Sequence, residues 1–154
     1  MKMKIEEIMT KDVISVKEDD TLLKVASVFK ENNVAGVPVI DDGGNVVGVI
    51  SEADILKVLE DFQWYTPLFK TLDFLGLHEE KLHDIEEDIK KASDMKVRDV
   101  MSKIPKTIRP DDLIDDAAMI MRSTGFNRLP VVDRDKKLVG MVARADIIAS
   151  LYDI

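Results

Sequence analysis

Apolar positions along the chain switch between two periods, and the switches mark the elements. Ile5, Ile8 and Met9 recur at helical spacing and predict a short helix over 4–10. Val13-Ile14-Ser15-Val16 reads as a short β segment. Asp19-Asp20-Thr21 then offers the side-chain oxygens that accept from the free N–H groups of a helix start. Leu22, Val25, Ala26 and Phe29 carry the period of that helix, and Asn32-Asn33 ends it. Val34 to Ile40 and Val46 to Ile50 are β-branched runs around Asp41-Asp42-Gly43-Gly44-Asn45, which is a hairpin pattern. Ser51 opens a second helix as N-cap, with Asp54 three residues on as capping-box partner.

The same order returns 92 positions later. Residues 4–56 align with 96–148 without a gap and share 14 identities in 53 positions, enough to imply two copies of one unit. In the second copy Ile104 to Ile108 is the strand, and Pro110-Asp111-Asp112 caps a helix carrying Ile114, Ala117, Ala118 and Met121 that Gly125 ends. Leu129 to Val132 and Leu138 to Val142 flank the turn Asp133 to Lys137, and Asp146 lies in the first turn of a last helix ending near Tyr152. Each repeat is β-α-β-β-α, so the predicted fold is α/β: two pseudo-twofold repeats packed sheet to sheet with helices outside.

Residues 61–95 have no counterpart and separate repeat 1 (4–60) from repeat 2 (96–154). The second helix is expected to continue through Val58, Leu59 and Phe62 toward Trp64-Tyr65, where Pro67 interrupts it. Residues 78–92 form a charged helix with a stripe at Leu82, Ile85 and Ile89. The insert, with Trp64, Tyr65, Phe69 and Phe74, is either a dimer or partner surface or a connector capping one end of the core.

Composition narrows the function. The chain has 154 residues, 45% hydrophobic, and no cysteine, so a buried core is available and thiol chemistry is not. The start turns acidic before any apolar run develops and no stretch is long enough to span a bilayer, so a cytoplasmic location is expected. A net charge of −8 opposes nucleic acid binding. Residues 1–56 carry 6 Lys/Arg against 11 Asp/Glu, 57–95 carry 5 against 10, and 96–154 carry 11 against 9, which makes repeat 2 the better host for a small anion. His78 and His83, five apart, do not share a helix face, so no metal site is expected, and no phosphate loop or catalytic constellation appears.

The chemistry that remains is at Ser51-Glu52-Ala53-Asp54 and Ala143-Arg144-Ala145-Asp146. A helix N-terminus suits a phosphate, a cap hydroxyl adds a hydrogen bond, and a carboxylate in the first turn accepts from a ribose cis-diol. For a single copy a plain capping box is the preferred reading; two copies in register, each preceded by the same Pro-Val strand, favour a ribose phosphate.

The motifs Val37-Pro38-Val39-Ile40-Asp41 and Leu129-Pro130-Val131-Val132-Asp133, with Val47 to Ile55 and Val139 to Ile147, resemble a tandem pair of cystathionine-β-synthase domains, often called a Bateman module. The resemblance implies two clefts that bind AMP, ADP, ATP or S-adenosylmethionine as a regulatory ligand, with no required cofactor, and dimerisation into a four-domain ring. It implies that Asp54 takes the ribose and Ser51 the phosphate, while Ile104-Pro105-Lys106-Thr107 and Asn127-Arg128 before Pro130 hold the base and add a cation. A second cleft would use Asp146 with Val13-Ile14-Ser15 and Ala35-Gly36 before Pro38. There Ala143 lacks the hydroxyl and Ala35-Gly36 lacks a cation, so either Arg144 compensates for a phosphate, or the cleft holds an uncharged adenosine group, or it holds nothing; the Asp54 cleft is expected to bind more tightly. The function expected is a stand-alone sensor without catalytic activity that acts on an effector protein in trans, as a homodimer; the alternative is a structural assembly domain with no ligand.

Overall fold

A computed structural model describes residues 3–61, 78–103 and 106–153. In chain order the elements are β1 (Val16–Lys17), α1 (Leu22–Asn32), β2 (Gly36–Ile40), β3 (Val46–Ser51), α2 (Glu52–Glu60), α3 (His78–Asp94), β4 (Ser102–Lys103), α4 (Ile114–Thr124), β5 (Arg128–Val132), β6 (Leu138–Ala143) and α5 (Arg144–Ser150). Single 3-10 turns lie at Ile5–Glu7, Val97–Asp99 and Leu151–Asp153. The class is mixed α/β, as the periodicity predicts.

Local chemistry explains most boundaries. Thr21 Oγ1 accepts from the Lys24 N–H at 3.3 Å and starts α1, which ends where Asn33 enters the left-handed region at φ 51°. Gly125, at φ 78°, ends α4 in the same way without a side-chain penalty. The start of α4 departs from expectation. Asp112 turns back to accept from the Arg109 N–H at 2.9 Å, so the N-cap is Leu113, whose N–H donates to Asp116 at 3.0 Å. Helix α2 is described over Glu52–Glu60, and the expected extension through Phe62 toward Trp64 and Tyr65, with Pro67, Phe69 and Phe74, lies outside the described residues. On α3, Ile89 of the predicted stripe is 45% exposed, so that position is not core.

The chain divides into two compact units, one of Met1–Lys17, Gly36–Val49 and Ser102–Ile154, the other of Glu18–Ala35 and Ile50–Met101. In the first unit β1 runs parallel to β2, and β2 lies beside β3. Strands β5 and β6 form an antiparallel hairpin. The short lead-in segments cross over. Thr10 pairs with Met141 of β6, while Ser102 of β4 pairs with Val49 of β3, which is the same contact displaced by 92 residues. Each repeat thus edges the other repeat's hairpin. Ile108, the counterpart of Val16, is reduced to one parallel bridge with Val131. Ile5, Ile108, Ala117, Met121, Leu129, Val131 and Val142 form a buried cluster around β5 and β6.

The two hairpin turns are built alike. Asp41 Oδ1 accepts from the Gly43 and Asn45 N–H groups at 2.9 Å, and Asp133 Oδ1 from those of Asp135 and Lys137 at 2.9 and 3.0 Å. The Asn45 backbone N–H first, then its side-chain amide, hold the Asp41 carboxyl below its ordinary value, against the opposing effect of burial. Asn45 bridges to Lys137, its own repeat counterpart, and the Lys137 ammonium donates to the Gly43 carbonyl.

In the second unit the turn before β4 docks on the start of α1. The Val97 N–H donates to Asp20 O at 2.9 Å and the Leu22 N–H to Met95 O at 3.0 Å. In the first unit Ile5 to Asp112 O and Ile114 to Met3 O repeat these bonds at 2.8 and 3.0 Å. Helix α3 packs against α1, and the buried residues of this unit include Leu22, Val25, Phe29, Ile50, Ala92 and Val97.

Candidate functional site

The two strand-to-helix junctions share one construction. Ser51 leaves β3 extended and caps α2; its N–H donates to Asp54 Oδ2 at 2.9 Å and its hydroxyl to the same oxygen at 3.2 Å. The hydroxyl therefore faces the carboxylate and does not close the other half of a capping box. At the second junction the Ala143 N–H donates to Asp146 Oδ2 at 2.7 Å. In both, Oδ1 has no hydrogen-bond partner among the described residues. Anchoring one oxygen to the backbone fixes where the other points.

The first helical N–H groups are not open to a ligand. That of Glu52 donates to Ala35 O at 3.0 Å, and that of Arg144 to Asn127 O at 2.9 Å. This tie locks the residue before each Pro-containing strand to the helix start. The Arg144 guanidinium also bonds to Asn127 Oδ1. Arg128 opens β5 half-buried, and its side chain lies across Gly36: a Cβ on Gly36 would come within 2.9 Å of Arg128 Cδ and 3.0 Å of Nε.

The other predicted residues fall into place singly. Pro38 and Pro130 are fully buried in mid-strand, and the Pro130 carbonyl accepts from the Ile108 N–H at 3.0 Å, so both are core residues. Ile14, Lys106 and Thr107 are exposed, and Val13 and Ser15 are half-buried. Ile104 and Pro105 lie outside the described residues. Ser51, Asp54 and Ala35 belong to the second unit, the remaining described site residues to the first.

Sequence reasoning missed a cleft of about 680 Å³ in the first unit, lined by Val46, Val47, Thr107, Ile108, Arg109, Asp112, Val132, Asp133 and Lys136. Of the predicted residues it includes only Thr107. In its lining Lys136 stands in the left-handed region at φ 64°. Among the described residues no group of three or more His, Asp or Glu side chains could hold a metal, and no helix is long and apolar enough to cross a membrane.

Comparison with known proteins places this construction. The CBS domain family matches twice, over residues 5–61 and 97–153. The chain belongs to the CBS domain family. The CBS pair is 39% identical over 156 residues to the uncharacterized protein MJ1426 of Methanocaldococcus jannaschii, covering 97% of this chain and 91% of that one. It is 33% identical to the chloroplastic CBS domain-containing protein CBSX2 of Arabidopsis thaliana, spanning 91% of this chain but only 57% of the relative. A crystal structure of CBSX2 in complex with AMP superposes with a TM-score of 0.71 at 27% identity, covering 97% of this chain and 96% of that one. The CBS pair of protein MJ0100, in complex with 5-methylthioadenosine and S-adenosyl-L-methionine, shares the fold at a TM-score of 0.72 and 21% identity, with 97% and 99% covered.

Proposed function

We propose that this CBS pair binds an adenosine compound and thereby regulates a partner protein. The observation that carries the reading is the anchored aspartate at each junction. Asp54 and Asp146 each tie one oxygen to the backbone and present the other, an acceptor-only group that suits the 2′- and 3′-hydroxyls of ribose. The AMP complex of CBSX2 supports adenosine as the ligand class.

In this reading Ser51 is a phosphate contact, Arg128 a cation for a phosphate, and Lys106, Thr107 and Asn127 contacts to a base. The Asp54 junction binds more tightly than the Asp146 junction, because Ala143 has no hydroxyl. In this reading the signal passes in trans: a ligand favours one arrangement of the chain, and a partner preferring that arrangement senses it. The reading takes the CBS pair as a homodimer in the cytoplasm, and Leu23 and Leu56, each more than half exposed, offer apolar surface for a second copy.

Titration calorimetry of AMP against single variants tests the roles. Losing the carboxylate in Asp54→Ala is expected to weaken AMP binding by about 10–100-fold, the range for hydrogen bonds to a charged group, and Asp146→Ala by less. Binding by both variants at wild-type affinity would contradict the reading.

A further inference from the structure

The two hairpin turns share a backbone plan and differ in charge. In repeat 1 the Lys17 ammonium reaches Asp42 at 3.0 Å and forms an ion pair over the turn. The counterparts in repeat 2 are Arg109 and Arg134, two cations that cannot pair. Both turns also hold a left-handed residue at one matched position, Gly44 at φ 82° in repeat 1 and Lys136 at φ 64° in repeat 2. Glycine adopts this conformation freely and lysine only at a cost, so turn geometry does not account for the lysine. Arg109 and Lys136 both line the cleft of about 680 Å³, and among the described residues neither side chain has an ion pair or hydrogen bond. All the residues lining that cleft belong to the first unit.

We propose that this cleft is a separate ligand site for a small hydroxylated anion, a phosphate ester or a hydroxy acid. The Arg109 guanidinium offers a planar fork and the Lys136 ammonium a point charge, and phosphate and carboxylate both suit that pair. The cleft also contains two carboxylates, which a bare anion would meet unfavourably. Asp112 commits one oxygen to the Arg109 N–H, and Asp133 one oxygen to the N–H groups of Asp135 and Lys137. Their second oxygens are acceptors only and call for hydroxyl donors on the ligand. Thr107 adds a hydroxyl of its own, and Val46, Val47, Ile108 and Val132 give apolar walls for a carbon frame. The site does not rest on the adenosine reading, with which it shares Thr107 alone.

Titration calorimetry on the full chain with glycerol 3-phosphate, glycerate and inorganic phosphate tests the proposal. One of the two hydroxylated probes is expected to bind more tightly than inorganic phosphate, and which of them does so identifies the anion. Arg109→Gln is expected to weaken that probe by about 10–100-fold and Lys136→Gly by about 3–10-fold. Lys136→Gly is also expected to raise Tm, because glycine relieves the left-handed position, which separates its loss of binding from any loss of fold. AMP affinity is expected to stay within about 3-fold of wild type in both variants. No binding of any probe at about 10 mM would overturn the proposal, as would inorganic phosphate binding as tightly as both hydroxylated probes, an adventitious ion only. An equal loss in Arg122→Gln, which removes an exposed cation of α4, would reduce the effect to overall charge and overturn it too. A parallel loss of AMP binding in Arg109→Gln would make the cleft part of the adenosine site, against the proposal.

Discussion

Replacing Ile5 by alanine is expected to destabilise the chain by about 2–4 kcal/mol, lowering Tm by about 5–15 °C. Ile5 belongs to the lead-in of repeat 1, yet it is fully buried in the cluster formed by Ile108, Leu129, Val131 and Val142 of repeat 2. The backbone cannot follow a shrinking side chain there, because the Ile5 N–H is bonded to Asp112 O at 2.8 Å and the Glu6 N–H to Pro110 O at 2.9 Å. A cavity therefore persists, and its cost adds to the lost transfer energy. Chemical denaturation with an unchanged m-value measures it. A loss below about 1 kcal/mol would show that the lead-in is not held as described.

Gly140→Ala is the second large effect, expected at about 1–3 kcal/mol. A Cβ on Gly140 would stand 2.6 Å from Met9 Sδ and 2.9 Å from the Thr10 carbonyl oxygen. Met9 can rotate away, but Thr10 cannot, since its N–H and C=O are both paired with Met141 at 2.9 and 3.0 Å. Adding Met9→Ala to Gly140→Ala should therefore recover only the side-chain part of the loss. Full recovery in the double variant would place the strain on Met9 alone, and no loss in the single variant would contradict the close approach of the edge segment.

These two positions also mark what the sequence makes legible. The hairpins and the helices α1, α2, α4 and α5 follow from apolar period and turn chemistry, because each is written within about a dozen neighbouring residues. The exchange of lead-ins is not. Thr10 and Met141 are 131 positions apart, their pairing involves strands too short to show alternation, and Gly140 reads as an ordinary strand glycine until Met9 is seen against it. Leu113 as a cap was hidden for a related reason: Asp111 and Asp112 look like caps, but an Asp can equally close a turn on its own side, as Asp112 does with Arg109.

At the candidate site the two aspartates were readable from their place after a strand, and the structure adds that each is anchored by one oxygen. The capping alternative weighed from sequence and the ligand reading are thus compatible: one oxygen caps, the other is presented. Pro38 and Pro130 mark the neighbouring strands in the sequence motif, but burial assigns them to the core. The contact between Arg128 and Gly36 had no sequence signal beyond their shared position in the repeat, because one-letter comparison records a mismatch where the fold makes a contact.

The most direct test of the central claim is the thermal stability of the purified full chain as AMP is added. At about 100 times its dissociation constant a ligand adds roughly 2.7 kcal/mol, which for a chain of this size raises Tm by about 5–10 °C. The account predicts such a rise with AMP, growing with the logarithm of concentration and reduced in Asp54→Ala. No rise with AMP, in protein from which denaturant extraction also releases no nucleotide, would contradict it.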